Sequence, residues 1–207
     1  MDQAQIVIVK TPSEDSNLDV PSSKPSAKSL LENPSPQRPT PETFILEGQS
    51  FESGKITIVQ GATSCLDLSV QMQPLSKVLF IDAGNVFNPY YIHRNFREIA
   101  DVKTALENIS VSRPFTIYQL RQIIEFEAEK QLQNGSRVLI IPCIDDPFYE
   151  DGLQVWEANE VFLQTMEALR KVAAKNNCFC LISFVGKYFR KMHEENAALR
   201  DGAIAMP

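Results

Sequence analysis

The sequence contains no apolar run of the roughly 18 residues that a membrane helix needs, and its amino terminus has no basic-then-apolar leader. It also lacks an excess of positive charge: 20 Lys and Arg stand against 26 Asp and Glu, and the net charge is −6. This balance excludes a protein that coats nucleic acid through bulk charge, although a local basic patch stays compatible with it. We therefore expect a protein with no membrane partner, located in the cytoplasm, the nucleoid or the nucleus.

Patterns for metal binding and for disulfides are also missing. The sequence has no C-x-x-C pair and no histidine at ligand spacing from a cysteine, and its four cysteines are Cys65, Cys143, Cys178 and Cys180. We expect these to be buried, reduced thiols. The two histidines lack a catalytic or metal-ligand pattern and are expected at the surface. No metal site and no cofactor is predicted.

Glycine is absent before Gly48, and seven of the 13 prolines lie in the first 43 residues. Such a segment buries too little apolar surface to offset its ordering entropy, so residues 1–43 are predicted to be a disordered tail and residues 44–207 the folded domain. One run in the tail is β-prone: Ile6, Val7, Ile8 and Val9. It is a candidate docking strand for a sheet edge, in its own domain or in a partner. The alternative is a disordered terminus with a few aliphatic residues.

From residue 44 on, apolar strand-like runs alternate with helical patterns. Strands are predicted over residues 56–60, 77–82, 109–111, 138–141, 178–184 and 202–206. The runs over 77–82 and 138–141 are almost continuously apolar, as strands buried on both faces are. Short connections between strands and helices predict an α/β domain with a mainly parallel central sheet flanked by helices.

Four helices are predicted between these strands. The first covers residues 66–73, and the second covers 92–100 with Ile92, Phe96 and Ile99 on one side. The third begins after a Thr116 cap, and its apolar stripe is Ile117, Leu120, Ile124, Ala128 and Leu132. The fourth covers 153–174 and is expected to bury Val155, Phe162, Met166, Leu169 and Ala173.

Residues 61–68 follow an apolar strand and lead into a helix, which is the context of the phosphate-binding motif G-x-x-x-x-G-K-[ST]. Counting from Gly61, the positions that need glycine, lysine and a hydroxyl hold Leu66, Asp67 and Leu68. A carboxylate at the lysine position repels a triphosphate instead of binding it. The sequence therefore predicts a nucleotide-binding framework whose phosphate loop is degenerate.

The order of these pieces resembles the core of the RecA/RadA recombinase family and its KaiC-like relatives. Residues 78–89 (Val-Leu-Phe-Ile-Asp-Ala-Gly-Asn-Val-Phe-Asn-Pro) are similar to the family segment I-D-T-E-G-T-F-R-P, and residues 108–116 are similar to N-I-x-V-A-R-A-F-N. Residues 199–205 are similar to the closing strand A-D-G-V-I-x-L. The resemblance implies a RecA-like P-loop NTPase fold over residues 44–206.

The departures from the family pattern concern its catalytic carboxylates. The position of the glutamate that orients the attacking water is Gly84, and the position of the magnesium-binding aspartate is Pro142. Asp145 or Asp146 is a candidate substitute, and the acidic segment 145–151 is otherwise expected to be a solvated loop. Because several parts of the phosphoryl-transfer machinery are missing together, ATP hydrolysis is not expected.

A basic and aromatic segment follows the strand over 178–184, where the resemblance places the second DNA-facing loop. It contains the candidate DNA-contact residues Lys187, Tyr188, Arg190 and Lys191. Cations for phosphates and aromatic rings for base stacking are what single-strand binding uses. The alternative is the start of an amphipathic helix with Tyr188 and Phe189 in the core.

We therefore expect a non-catalytic RecA/RadA-like paralogue that acts as an accessory subunit in DNA recombination or repair. Its partner is expected to be a RecA/RadA-like protein or another subunit, in a hetero- or homo-oligomer, with weak single-stranded DNA binding. One alternative is an unorthodox nucleotide-binding ATPase in which Lys55 or Lys77 supplies the missing charge and the amides of residues 62–64 form an anion nest. Another is a KaiC-like regulatory scaffold without a role on DNA.

Overall fold

The computed structural model describes residues 7–10, 42–46, 49–96 and 98–200. Of the predicted tail over residues 1–43, residues 1–6, which include Ile6, and residues 11–41 lie outside the described residues, whereas residues 7–10, 42 and 43 lie in strands. The predicted strand over 202–206 also lies outside the described residues.

A small antiparallel sheet precedes the main domain. Its strands are β1 (Val7–Lys10), β2 (Glu42–Leu46) and β3 (Gln49–Glu52), in the order β1-β2-β3. Strand β1 pairs with β2 from Val7 opposite Ile45 to Lys10 opposite Glu42. The β-prone run of the amino terminus thus pairs with a strand of its own chain.

The main sheet has five strands, and all of its pairings are parallel. They are β4 (Ile56–Ile58), β5 (Val78–Ile81), β6 (Ile109–Ser112), β7 (Val138–Ile141) and β8 (Phe179–Ile182), in the order β4-β8-β7-β5-β6. The prediction of an α/β domain with a mainly parallel sheet is confirmed.

Helices cover both faces of this sheet. One face carries α1 (Gly61–Met72), α2 (Pro89–Arg94) and α3 (Ile99–Glu107). The other carries α4 (Ile117–Gln122), α5 (Glu129–Gln133), α6 (Val155–Asn176) and α7 (Lys187–Arg200). A 3-10 helix covers Asp146–Tyr149. Alternate residues of each strand point to opposite faces, so Leu79 and Ile81 belong to one core and Val78 and Phe80 to the other.

Thr116 caps α4 as predicted, because its side-chain oxygen accepts a hydrogen bond from the Gln119 amide at 3.1 Å. The predicted stripe is buried throughout, but the helix that carries it is not a plain α-helix: a π-helical segment, Ile123–Ala128, joins α4 to α5. The stripe repeats every four residues from Leu120 to Leu132, which exceeds the α-helical period of 3.6. The wider π turn keeps these side chains on the core face.

The predictions of one helix over residues 92–100 and of a buried Val155 are wrong. Residues 92–100 do not form one helix: α2 ends at Arg94 and α3 begins at Ile99, whose side chain is 82% exposed. Helix α6 begins at Val155, and this residue is 70% exposed instead of buried. None of the helices in the described part of the chain is both long enough and apolar enough to cross a bilayer.

The winding of the chain produces crevices at the carboxyl edge of the sheet. After β5 the chain passes to the face of α2 and α3, whereas after the neighbouring strand β7 it passes to the face of α6. Strands β4 and β8 are likewise followed by helices on opposite faces. Such divergence between adjacent parallel strands opens a crevice outside their carboxyl ends, where ligands of open α/β sheets bind.

Candidate functional site

The connection from β4 to α1, where a phosphate loop is expected, contains only Val59 and Gln60. The Val59 amide still donates to the Ile182 carbonyl of β8 at 2.8 Å, and α1 begins at Gly61. Gly61 has φ +74°, a left-handed conformation that suits glycine and lets the strand turn directly into the helix. Residues 61–68 are therefore the first two turns of α1 and not a loop around an anion.

The three substituted positions of the motif have structural roles in this helix. Leu66 and Leu68 are each 7% exposed and pack into the core on the α1 face. The Asp67 carboxylate accepts a hydrogen bond from the Tyr91 hydroxyl of α2, and this bond is the largest cause of the raised pKa of Tyr91. The helix that was predicted to start at residue 66 thus starts five residues earlier.

A groove of about 730 Å³ lies beside this turn. Of the described residues that line it, Asp67 alone has an ionisable side chain; the others include Gln60, Ser64 and Gln71. The Gln71 side-chain oxygen is buried without a hydrogen-bond partner in the described part of the chain. The groove can accept hydrogen bonds, but its single charge opposes the binding of a phosphate group.

Lys55 and Lys77 lie at the opposite edge of the sheet from this groove. Each directly precedes its strand, β4 or β5, and in a parallel sheet these positions form the amino edge. Lys55 forms an ion pair with Glu52 at 2.9 Å. Neither ammonium group lies on the edge where α1 begins.

At the end of β5, the buried Asp82 carboxylate organises the loop that follows. It accepts hydrogen bonds from the amides of Val86 at 2.7 Å and Phe87 at 3.2 Å, and from Arg113 Nη2 at 2.7 Å and Nε at 3.1 Å. Both of its oxygens are therefore engaged by this chain.

Gly84 lies in that loop, at the position where the family pattern has its catalytic glutamate. A β-carbon on Gly84 would lie 2.4 Å from the Cβ of Cys143, so the loop after β7 occupies the space that a side chain would need. Pro142 directly follows β7, and Cys143 after it has φ +50°.

Asp145 and Asp146 have different surroundings. Asp145 is fully buried, which contradicts the expected solvated loop, and its carboxylate accepts from the amides of Val185 at 2.7 Å and Gly186 at 2.9 Å. It therefore fixes the loop between β8 and α7. The pKa of Asp146 is raised, first by burial and then by the charge of Asp145. Within the described residues, no three His, Cys, Asp or Glu side chains are grouped to hold a metal ion.

The basic segment after β8 forms the first turns of α7. Phe189 is buried against Phe148 and Phe162, whereas Tyr188 is half-exposed and its hydroxyl bonds to Asn159 of α6. The expectation of a buried Phe189 is confirmed, and that of a buried Tyr188 is wrong.

The cations of this segment lie beside carboxylates of the same helix. Arg190 pairs with Glu194 at 2.9 Å and Lys191 pairs with Glu195 at 3.6 Å, while Lys187 is exposed. Exposed pairs of this kind are weak and can reorganise. Contact of this segment with DNA stays a prediction.

His193, further along α7, is half-buried rather than fully at the surface. Burial lowers its pKa, and this effect outweighs the opposing influence of Glu194. Its ring lies 6.1 Å from that of Phe184.

A second cleft, of about 520 Å³, lies where the carboxyl ends of β5, β6 and β7 meet, and sequence reasoning did not identify it. Its walls come from three loops and include Asp82, Arg113, Phe115, Asp146 and Tyr149. The signal that could have found it is the position of polar residues directly after adjacent strands, but that position has a meaning only once the strand order is known.

No protein-family model matches this chain, and a search of curated proteins finds no relative.

Proposed function

We propose that this chain is a non-catalytic relative of the RecA/RadA recombinases that works through protein contacts, as an accessory subunit in DNA recombination or repair. The proposal is supported by the five-stranded parallel sheet, by the order of its elements and by the motif-like segments over 78–89 and 108–116.

The observation that carries the proposal is the direct passage from β4 into α1. A phosphate loop binds through backbone amides that curl around the anion and through a lysine that reaches it. Here the connection is two residues long, and the side chains at two motif positions are buried in the core. The groove beside it carries a carboxylate.

An unorthodox ATPase is a weaker candidate. Its supporting charge would have to come from Lys55 or Lys77, at the other edge of the sheet. Asp145, its candidate metal ligand, accepts hydrogen bonds from two backbone amides.

The proposed partner is a RecA/RadA-like protein, in a hetero-oligomer that uses sheet edges. Strand β1 belongs to this proposal because residues 11–41 separate it from β2 in the sequence, a distance that lets β1 pair either with its own β2 or with an equivalent edge of a partner. A KaiC-like scaffold would use the same fold with a different partner.

Calorimetry of the full chain tests the proposed loss of nucleotide binding, and affinity purification tests the proposed partner. We expect no heat of binding when Mg-ATP is titrated into the protein at concentrations that detect micromolar affinity. We also expect that purification from its native cells, with mass spectrometry, recovers a RecA-like ATPase. Micromolar Mg-ATP binding overturns the non-catalytic assignment, and recovery without any RecA-like protein overturns the partner assignment.

A further inference from the structure

Two exposed aromatic rings border the cleft at the carboxyl ends of β5, β6 and β7. Phe115, in the loop after β6, is 77% exposed, and Tyr149, at the end of the 3-10 helix, is 47% exposed. Exposed aromatic side chains that cluster around a concave surface are typical of binding sites, whereas apolar residues exposed singly are normal on protein surfaces.

The charges of this cleft are unbalanced. Of the described residues that line it, Arg113 alone is cationic, and its charge is offset by the buried Asp82. Asp146 and Glu150 also line the cleft, and the buried Asp145 lies beside Asp146 in the chain. The cleft therefore has an excess of negative charge, which favours a cationic ligand and disfavours a phosphate backbone.

Two further exposed aromatic residues lie on α4 and α6, whose first residues follow the cleft-lining Phe115 and Glu150 closely in the sequence. Tyr118, near the start of α4, is 53% exposed, and its hydroxyl donates to the carboxylate of Glu157 on α6. Trp156, next to Glu157, is 67% exposed. We name Phe115, Tyr118, Tyr149 and Trp156, together with the carboxylates Asp146 and Glu150, the acidic aromatic face.

We propose that the acidic aromatic face docks a segment of a partner protein in which a Lys or Arg side chain is flanked by apolar side chains. The cation enters the cleft between Phe115 and Tyr149, where a ring face and the carboxylates of Asp146 and Glu150 both attract it. The apolar side chains cover Tyr118 and Trp156. This inference rests on the proposed function, since it assigns a surface to the protein contacts.

The chain contains its own reporter, because Trp156 is its single tryptophan. Three short capped peptides of equal length serve as probes: one alternates Leu and Lys, one Leu and Glu, and one Ser and Lys. We expect the Leu-Lys peptide to shift the Trp156 emission to shorter wavelength and to protect it from acrylamide, in a saturable manner. The Leu-Glu peptide should have no effect, and the Ser-Lys peptide should bind about tenfold more weakly or worse.

Two variants and two matched controls locate the site. Phe115→Ser and Glu150→Lys should each weaken binding of the Leu-Lys peptide by about tenfold or more. Phe126→Ser removes an aromatic ring of similar exposure on the π-helical segment, and Asp101→Lys reverses an exposed charge on α3. Both controls should bind the peptide like the unaltered protein.

The proposal is overturned if the Leu-Glu peptide or a single-stranded oligothymidine shifts the emission equally, or if Phe115→Ser and Glu150→Lys bind normally. An emission shift that depends on protein concentration without peptide assigns the face to a second copy of this chain and also overturns it. If neither Mg-ATP nor the Leu-Lys peptide binds, the result agrees with the proposed function and overturns the docking of a partner on the acidic aromatic face. If Mg-ATP binds, the proposed function is overturned, whether or not the peptide binds.

Discussion

Gly84 lies so close to Cys143 that a β-carbon built on it would be 2.4 Å from the cysteine Cβ and 3.1 Å from its Sγ. The two residues follow the adjacent strands β5 and β7, and both lie at the carboxyl edge of the sheet. The space that a side chain at residue 84 would need, where the RecA/RadA resemblance places a glutamate, is therefore filled by Cys143.

Gly84→Ala is predicted to destabilise the protein by about 1–3 kcal/mol, because real β-carbons do not approach this closely and the loop after β7 would have to move. Cys143 has φ +50°, so Cys143→Gly removes the obstructing atoms at a position whose conformation suits glycine. Urea denaturation of both single variants and the double variant measures the free energy of unfolding of each, and from these the coupling free energy between positions 84 and 143. We expect the cost of Gly84→Ala to shrink in the Cys143→Gly background; additive costs would contradict the contact.

Restoring the motif residues is predicted not to restore nucleotide binding. The triple variant Leu66→Gly, Asp67→Lys and Leu68→Ser removes two core leucines and should lose about 4 kcal/mol or more of stability. Because this variant can unfold, Asp67→Lys alone is the control: it supplies the cation and leaves the core intact. Calorimetry with Mg-ATP should show no binding to Asp67→Lys, and micromolar binding would show that the turn into α1 can still bind phosphate.

Elements that depend on local patterns were predictable. The Thr116 cap and the buried stripe from Ile117 to Leu132 follow from capping chemistry and periodicity within one segment. The buried strands β5 and β7 were found because apolar runs of that length suit a sheet covered on both faces.

The start of α2 had a local signal that the apolar pattern concealed. Pro89 occupies the first turn of α2, and the Asn88 side chain accepts from the Tyr90 amide at 2.9 Å, so the helix begins earlier than its apolar residues indicate. The hairpin of β2 and β3 was missed because Phe44 and Phe51 alone give a weak alternation of apolar and polar residues along the two strands.

The candidate site could not be predicted because its contacts join distant parts of the chain. The pairing of Asp82 with Arg113 and the approach of Gly84 to Cys143 both depend on which strands are neighbours. Asp145 was expected in solvent because four carboxylates in seven residues read as an exposed loop. Its burial depends on the amides of Val185 and Gly186, some forty residues further on.

The four thiols are predicted to resist modification while the protein is folded. Burial raises the pKa of Cys65 and Cys178 to about 12 and that of Cys180 well above its usual value, and it also raises the pKa of Cys143. Since the thiolate is the reactive form, a disulfide reagent at about pH 8 should modify none of them quickly. In guanidinium chloride all four should react. Rapid reaction of one thiol per molecule of native protein would show that one of the four cysteines is accessible and would contradict its burial.

Stability is predicted to fall as the pH drops through the usual histidine range. Burial lowers the pKa of His193 below its usual 6.5, so near that pH the unfolded chain binds more protons than the folded one, and acidification favours unfolding. Urea denaturation should show lower stability at about pH 5.5 than at about pH 7.5. In His193→Gln this difference should shrink, whereas His93→Gln, which alters an exposed histidine of α2, should keep it. An equal pH dependence in all three proteins would contradict the effect of His193.

Binding of single-stranded DNA by the start of α7 is predicted to be weak and salt-dependent, because Arg190 and Lys191 must leave Glu194 and Glu195 to reach phosphates. Lys187→Ala with Arg190→Ala should weaken binding of an oligothymidine and reduce the salt slope, by about 0.7 for each phosphate that the variant no longer neutralises. Glu194→Gln with Glu195→Gln should strengthen it, since the cations are then released.

Lys171→Ala is the matched control, because Lys171 is an exposed lysine of α6 with an equivalent ion pair to Glu167 at 3.4 Å. Fluorescence anisotropy at several salt concentrations measures the affinity of the unaltered protein and of the three variants for a labelled oligothymidine. If Lys171→Ala weakens binding as much as the α7 variant, the DNA contact is general electrostatic attraction and not a property of this segment.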